Sequence, residues 1–244
     1  MRVRHGSPGF LQHLRERVSQ LGSRLRARLP QNLHAVLPLV AGAAIALGSG
    51  LIFLQLGKQI GQGRIAELDD AVLLWIAERR GPALSKFFLA VTALGSWPVL
   101  VLLTIGICIG ALLARQYRLT ATLAIAMLGA PLLTDLLKSI YARDRPRVVP
   151  HLETVASASF PSGHSIASVT FFTTLALLVA GHTPRRRLRV FLVVYSLVIG
   201  ALVAASRMYL GVHFPSDVTG GALVGVAWSL SIVVLDRLLR GVAR

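Results

Sequence analysis

Residues 33–57 read LHAVLPLVAGAAIALGSGLIFLQLG, a stretch without one Asp, Glu, Lys or Arg. A helix of roughly 20 apolar residues crosses the hydrocarbon core of a bilayer. Five further uncharged runs follow at 87–114, 119–134, 165–181, 190–206 and 218–235. The shorter ones fall just below the spanning length, and a buried soluble helix is the competing reading for them. Six such runs in 244 residues leave little polar chain to cover them, with 54% hydrophobic and only 15% charged residues. The expected fold is therefore all-α, a polytopic membrane bundle of six transmembrane helices with amphipathic interfacial helices beside them. Gly95-Ser96-Trp97-Pro98 interrupts the second run and predicts a kink there.

The net charge of +16 raises the question of nucleic acid, but its distribution points to a membrane. Arg2, Arg4, Arg15, Arg17, Arg24, Arg26 and Arg28 precede the first run. Arg115 and Arg118 separate the second from the third, Arg185, Arg186, Arg187 and Arg189 the fourth from the fifth, and Arg237, Arg240 and Arg244 close the chain. Every second connection is arginine-rich, so the positive-inside rule puts both termini in the cytoplasm. The other connections are expected on the extracytoplasmic side of a cell inner membrane. Leu11, Leu14, Val18, Leu21, Leu25 and Leu29 recur at three- and four-residue steps among the arginines. That pattern predicts an amphipathic helix on the anionic inner leaflet, with a disordered basic tail as the competing reading. Residues 1–32 thus read as a basic cytoplasmic tail and 33–240 as one membrane domain. The basic region is too long for a secretory signal, and an uncleaved first span fits better. A second amphipathic helix is expected from Ile65, Leu68, Val72, Trp75 and Ile76, with Glu67, Asp69, Asp70, Glu78 and Arg79 on its polar side. Cys108 is the single cysteine; it excludes an intrachain disulfide and reads as a small packing residue.

Three segments at the non-arginine ends of the runs carry chemistry. In KSIYARDRP (138–146), Lys138 and Arg145 stand two helical turns apart and are expected on one face of a helix that must stop before Pro146. Arg143 and Arg147 add charge nearby. A snorkelling basic cluster would explain this segment alone. In PSGH (161–164), Pro161 suits a first helical position, leaving the amides of Ser162, Gly163 and His164 free. Such a helix N-terminus favours an anion, and His164 is placed to give a proton to a leaving oxygen. In SRMYLGVHFPSD (206–217), Asp217 falls in the first turn after Pro215 and can reach back to His213, raising the nucleophilicity of the opposite ring nitrogen. Each segment has an ordinary reading by itself. All three on one membrane face do not, because ionisable groups near a bilayer are costly and mark function.

These segments resemble the signature of the type 2 phosphatidic acid phosphatase (PAP2) superfamily, K-x6-RP, PSGH and SR-x5-H-x3-D, at every position. The likeness covers roughly residues 35 to 240 and implies an integral-membrane lipid phosphate phosphatase. On that resemblance His213 would attack phosphorus and form a phosphohistidine, Asp217 would orient it, and His164 would serve as acid and then base. Lys138, Arg145 and Arg207 would hold the non-bridging oxygens, with Ser162 and Gly163. Phosphoryl transfer needs mainly positioning and charge compensation, so three cations can stand where other enzymes use magnesium, and no cofactor or metal is expected. Asp135, Asp144 and Glu153 are scattered among arginines and form no evident metal cluster. The expected partners are a lipid phosphate and the bilayer, and not nucleic acid. Undecaprenyl diphosphate is the favoured substrate, beside phosphatidic acid and phosphatidylglycerophosphate. A transporter would use the same cations but has no need of His164, His213 and Asp217 together, and transport sites sit at the midplane. The haloperoxidase relatives, soluble and larger, do not match the six runs.

Overall fold

In lipid every backbone N–H and C=O must be paired within the chain, so long apolar runs fold as helices. A computed structural model describes residue 17 and residues 31–242, and among these every regular element is an α-helix. They are α1 (Gln31–Gly61), α2 (Ala66–Ala77), α3 (Pro82–Leu94), α4 (Trp97–Leu113), α5 (Tyr117–Tyr141), α6 (Gly163–His182), α7 (Arg186–Tyr209) and α8 (Pro215–Val242). The chain divides into two compact units, Met1–Ala41 and Gly42–Arg244. The described part of the first is helical. The expected amphipathic helix over 11–29 lies outside the described residues.

Among the described residues five helices have the length and apolarity of a membrane span. The pair α3 and α4 makes a sixth, bent by 45° at its break. That break falls at Gly95 and Ser96, where the sequence predicts it, and Pro98 sits in the first turn of α4. The chain is a multi-pass membrane protein, and its outward apolar side chains fit lipid contact. Leu102, Leu132 and Leu197 are 69%, 71% and 64% exposed.

Helix α6 is the centre of the bundle. It packs on α5, α7 and α8, and 56% of its apolar window is buried, the most of any span. Small residues let α8 approach it: a Cβ on Gly221 would stand 2.6 Å from the Ser162 carbonyl oxygen, and one on Gly225 would stand 2.9 Å from the Val169 Cβ. One core cluster joins α4, α5 and α6 through Leu100, Leu123, Met127 and Phe171. Another lies beneath the three chemistry-bearing segments, where Phe53 of α1 stacks on Phe160 at 5.3 Å and Tyr141 meets Phe160 edge-on at 4.9 Å. The C-terminal ends of α5 and α7 and the N-terminal ends of α6 and α8 therefore meet at one end of the bundle. The arginines of 185–189 stand at the opposite ends of α6 and α7, about 30 Å away at 1.5 Å per residue.

Helix α2 forms as expected, but its faces divide differently. Leu68 and Trp75 are exposed at 64% and 57%, as an interfacial side would be. Asp69, expected on the polar outer side, is buried at 1%, and Leu73 one turn later is fully buried. The carboxylate points inward because it has cationic and amide partners there.

Candidate active site

The first segment departs from its expected form. Helix α5 ends at Tyr141, because Ala142 takes a left-handed φ of 43° and its N–H donates to the Lys138 carbonyl at 2.9 Å. Arg145 therefore lies beyond the helix and does not share a face with Lys138. The two meet by another route, on the returning chain. Lys138 Nζ donates to Ser157 Oγ at 2.8 Å and to the Ala158 carbonyl at 2.7 Å. Arg145 Nε donates to the Ser157 carbonyl at 2.8 Å, and its Nη2 reaches Ser157 Oγ and the Ala158 carbonyl at 3.3 Å. Both cations thus buttress residues 157–158, which lead into the second segment. Burial lowers the Arg145 pKa first, and neighbouring Arg207 adds to that.

The second segment begins its helix two residues later than expected. Ser162, not Pro161, sets the start: it is the N-cap of α6, and its hydroxyl accepts from the Ser165 N–H at 3.4 Å and from the Ser165 hydroxyl at 3.1 Å. Its own N–H donates to the Asp217 carbonyl at 3.0 Å, so that amide is not free. The Gly163 and His164 amides remain as the unpaired first-turn donors of α6, the dipole end that favours an anion. His164 is half-buried and lines a cavity of about 200 Å³ with Trp97, Pro131, Thr134 and Asp135, at the α3–α4 break. Its ring lies within electrostatic reach of Arg207, His213, Lys138 and Arg145.

The third segment is the most tightly held. Arg207, 1% exposed, donates through Nη1 to Thr92 Oγ1 at 2.8 Å and to Glu153 Oε2 at 2.5 Å. Its Nε is buried with no protein partner among the described residues. Gly211, at φ 77°, turns the chain just after α7, and a side chain there would also strike the Pro150 carbonyl. His213 is 2% exposed. Its Nδ1 faces Asp217 Oδ2 at 3.4 Å and its Nε2 faces Arg145 Nη1 at 3.3 Å. These partners assign the proton to Nδ1 and the lone pair to Nε2. Burial pushes the His213 pKa down to about 4, against the opposing pull of Asp217. The ring therefore stays neutral, and nucleophilic, well below neutral pH.

Asp217, fully buried, accepts three further bonds: Ser159 Oγ and the Phe214 N–H (2.9 Å) on Oδ2, and Arg143 Nη1 on Oδ1 at 2.7 Å. Arg143 spans two carboxylates, because its Nη2 donates to Asp69 Oδ2 at 2.8 Å. Sequence reasoning named Arg143 only as extra charge and missed Asp69, Ser157, Ser159, Ser216 and the Glu153 pairing. Only one of these left a trace: Asp69, Leu73 and Ile76 stand one turn apart on α2, a stripe in which a carboxylate is out of place. Among the described residues no three His, Cys, Asp or Glu side chains come together as a metal site. A cavity of about 750 Å³ between α1, α5 and α8 is lined almost wholly by apolar side chains, among them Phe53, Leu133 and Trp228.

The seven charged or imidazole groups Lys138, Arg143, Arg145, His164, Arg207, His213 and Asp217 thus meet at one end of the bundle. The PAP2 superfamily profile matches residues 119–239. Phosphatidylglycerophosphatase B of Bacillus subtilis (strain 168) is 33% identical over 180 residues, 72% of this chain and 87% of that protein. The putative undecaprenyl-diphosphatase YbjG of Escherichia coli (strain K12) is 32% identical over 127 residues, 50% of this chain and 60% of that protein. The crystal structure of a transmembrane PAP2-type phosphatidylglycerolphosphate phosphatase from Bacillus subtilis superposes with a TM-score of 0.75 at 28% identity, covering 80% of this chain and 96% of that one. The chain belongs to the PAP2 superfamily, as one of its integral-membrane lipid phosphatases.

Proposed function

We propose that this phosphatase removes a terminal phosphate from a membrane lipid through a phosphohistidine on His213, with the site opening on the extracytoplasmic face. The carrying observation is the double anchoring of the His213 ring, Nδ1 on Asp217 and Nε2 toward Arg145. Arg145 turns its N–H from Nε2 to a phosphate oxygen as substrate enters, which frees the lone pair along the line on which that oxygen's phosphorus sits. Lys138, Arg145 and Arg207 hold the non-bridging oxygens, helped by the Gly163 and His164 amides, while Ser162 holds the helix start in place. Nε2 forms a bond to phosphorus as the bond to the leaving oxygen breaks, and protonated His164 donates its proton to that oxygen. Neutral His164 then takes a proton from water, the hydroxide attacks phosphorus, and the P–N bond breaks to release inorganic phosphate. The leaving lipid lies toward the cavity that His164 shares with Trp97 and Thr134.

Phosphatidylglycerophosphate leads the substrate candidates, because a relative matched along most of its length carries that activity in its name. Undecaprenyl diphosphate, favoured from sequence, follows through the YbjG likeness. The test is purified protein in detergent, in excess EDTA, against phosphatidylglycerophosphate, undecaprenyl diphosphate and phosphatidic acid, counting free phosphate. Turnover with an acid-labile phosphoenzyme is expected; turnover with no phosphoenzyme on rapid quench, or dependence on an added divalent ion, overturns the mechanism. Orientation is tested with cysteines placed singly at 185–189, which an impermeant reagent should fail to label in intact cells.

A further inference from the structure

Asp69 has a role that the signature segments do not include. It lies on α2, 147 residues from Ser216, and is 1% exposed. Its Oδ1 accepts the Ser216 N–H at 3.0 Å, and its Oδ2 accepts both the Ser216 hydroxyl and Arg143 Nη2, the latter at 2.8 Å. Arg143 uses its other arm, Nη1, on Asp217 Oδ1 and on Ser216 Oγ, both at 2.7 Å. The guanidinium also lies over the Phe214 ring at 4.1 Å. Two fixed carboxylates on a planar fork set its position and its rotation. Asp217 in turn faces His213 Nδ1.

Resting on the reading of His213 as nucleophile, we infer that Asp69 is a positioning residue, which fixes Asp217 and hence the His213 ring through Arg143. Asp69 neutralises the half of the guanidinium that Asp217 does not, and it pins Ser216 in the first turn of α8 beside it. Removing the Asp69 charge leaves Arg143 free to turn its whole fork onto Asp217. That pulls the Asp217 carboxylate off the line to Nδ1, so His213 loses aim while the phosphate clamp of Lys138, Arg145 and Arg207 stays complete. An interfacial helix with an exposed apolar side (Leu68, Leu74, Trp75) is thereby built into the catalytic geometry.

The experiment measures kcat and KM of Asp69→Asn, Arg143→Gln and Arg143→Lys in detergent micelles with phosphatidic acid, beside His213→Ala and the exposed α2 control Glu78→Gln. Asp69→Asn should lower kcat by about 10–100-fold, the usual size of an orienting-partner loss, with KM within about twofold. Arg143→Gln should lose at least as much, and Arg143→Lys should recover part of it, since an ammonium reaches one carboxylate but not both. Glu78→Gln should match wild type. An unchanged kcat in Asp69→Asn, or a loss confined to KM or to thermal stability, overturns the inference. If Asp69→Asn does not yield monodisperse protein, Arg143→Lys decides by the same split: reduced kcat at constant KM supports, unchanged kcat overturns. Turnover retained in His213→Ala would instead strike the nucleophile reading, which separates the two failures.

Discussion

The two histidines of the site sit in opposite surroundings. His213 is buried, with both ring nitrogens engaged and its carboxylate partner held by Arg143, Ser159 and a backbone amide. His164 is half-buried at the mouth of a helix, and its ring has no hydrogen-bond partner among the described residues. The difference suits the role that the proposed mechanism gives each. A nucleophile meets one atom along one line, so freedom only costs rate. An acid that becomes a base must serve a leaving oxygen and then an incoming water, which occupy different places. On the proposed mechanism the tight half of the site fixes an attack direction, and the loose half serves two partners in turn.

The largest expected effect is on the tight side. His213→Ala should cut phosphate release by about 10⁴-fold or more, with the protein still monodisperse in detergent. Residual turnover above that level would mean that the tight half does not carry the bond-making step. Next is the loose side. His164→Ala should cost about 10²–10⁴-fold with a lipid phosphate. With p-nitrophenyl phosphate, whose leaving group needs no proton, the loss of the first step should shrink sharply; equal losses with both substrates would remove His164 from the leaving-group role. Third is acidity. Because burial holds His213 at about 4, the ring is neutral at pH 5 and attack fails only as pH falls through that value. After division by substrate ionisation, kcat/KM at pH 5 should exceed that for an ordinary imidazole by about 30-fold. An acid limb near 6.5 would show that the ring is not so buried in the working enzyme. The smallest effect is on the open rim. Glu153 sits on Arg207 with its side chain 34% exposed, so the pair is screened. Glu153→Gln should lower KM by about fivefold at most with little change in kcat; a raised KM would make Glu153 a substrate contact.

The spans were legible because a bilayer imposes one length and one polarity on every helix, and the kink at Gly95 was legible for the same local reason. The three segments were legible by residue type and spacing. What escaped was convergence across distant chain. Nothing at 138–146 announces that Ala142 leaves the helix, so Lys138 and Arg145 were expected on one face and instead meet at Ser157. Nothing near Ser162 shows that its amide is taken by Asp217, since that bond exists only once α6 and α8 pack. Asp69 was assigned outward because periodicity weighs a carboxylate as polar, whereas its partners Arg143 and Ser216 make the interior the better solvent for it.

The Arg207–Glu153 pair has a consequence for how the pocket handles its cargo. Lys138, Arg143, Arg145 and Arg207 face Asp69, Asp217 and Glu153, which leaves one surplus positive charge while both imidazoles are neutral. A doubly charged phosphoester that evicts Glu153 balances the fixed charges, leaving only the proton that His164 carries on the proposed mechanism, and the inorganic dianion left after hydrolysis does the same. On that mechanism Glu153 would be a resident counter-ion, and orthophosphate should compete with fresh substrate for the same arginine.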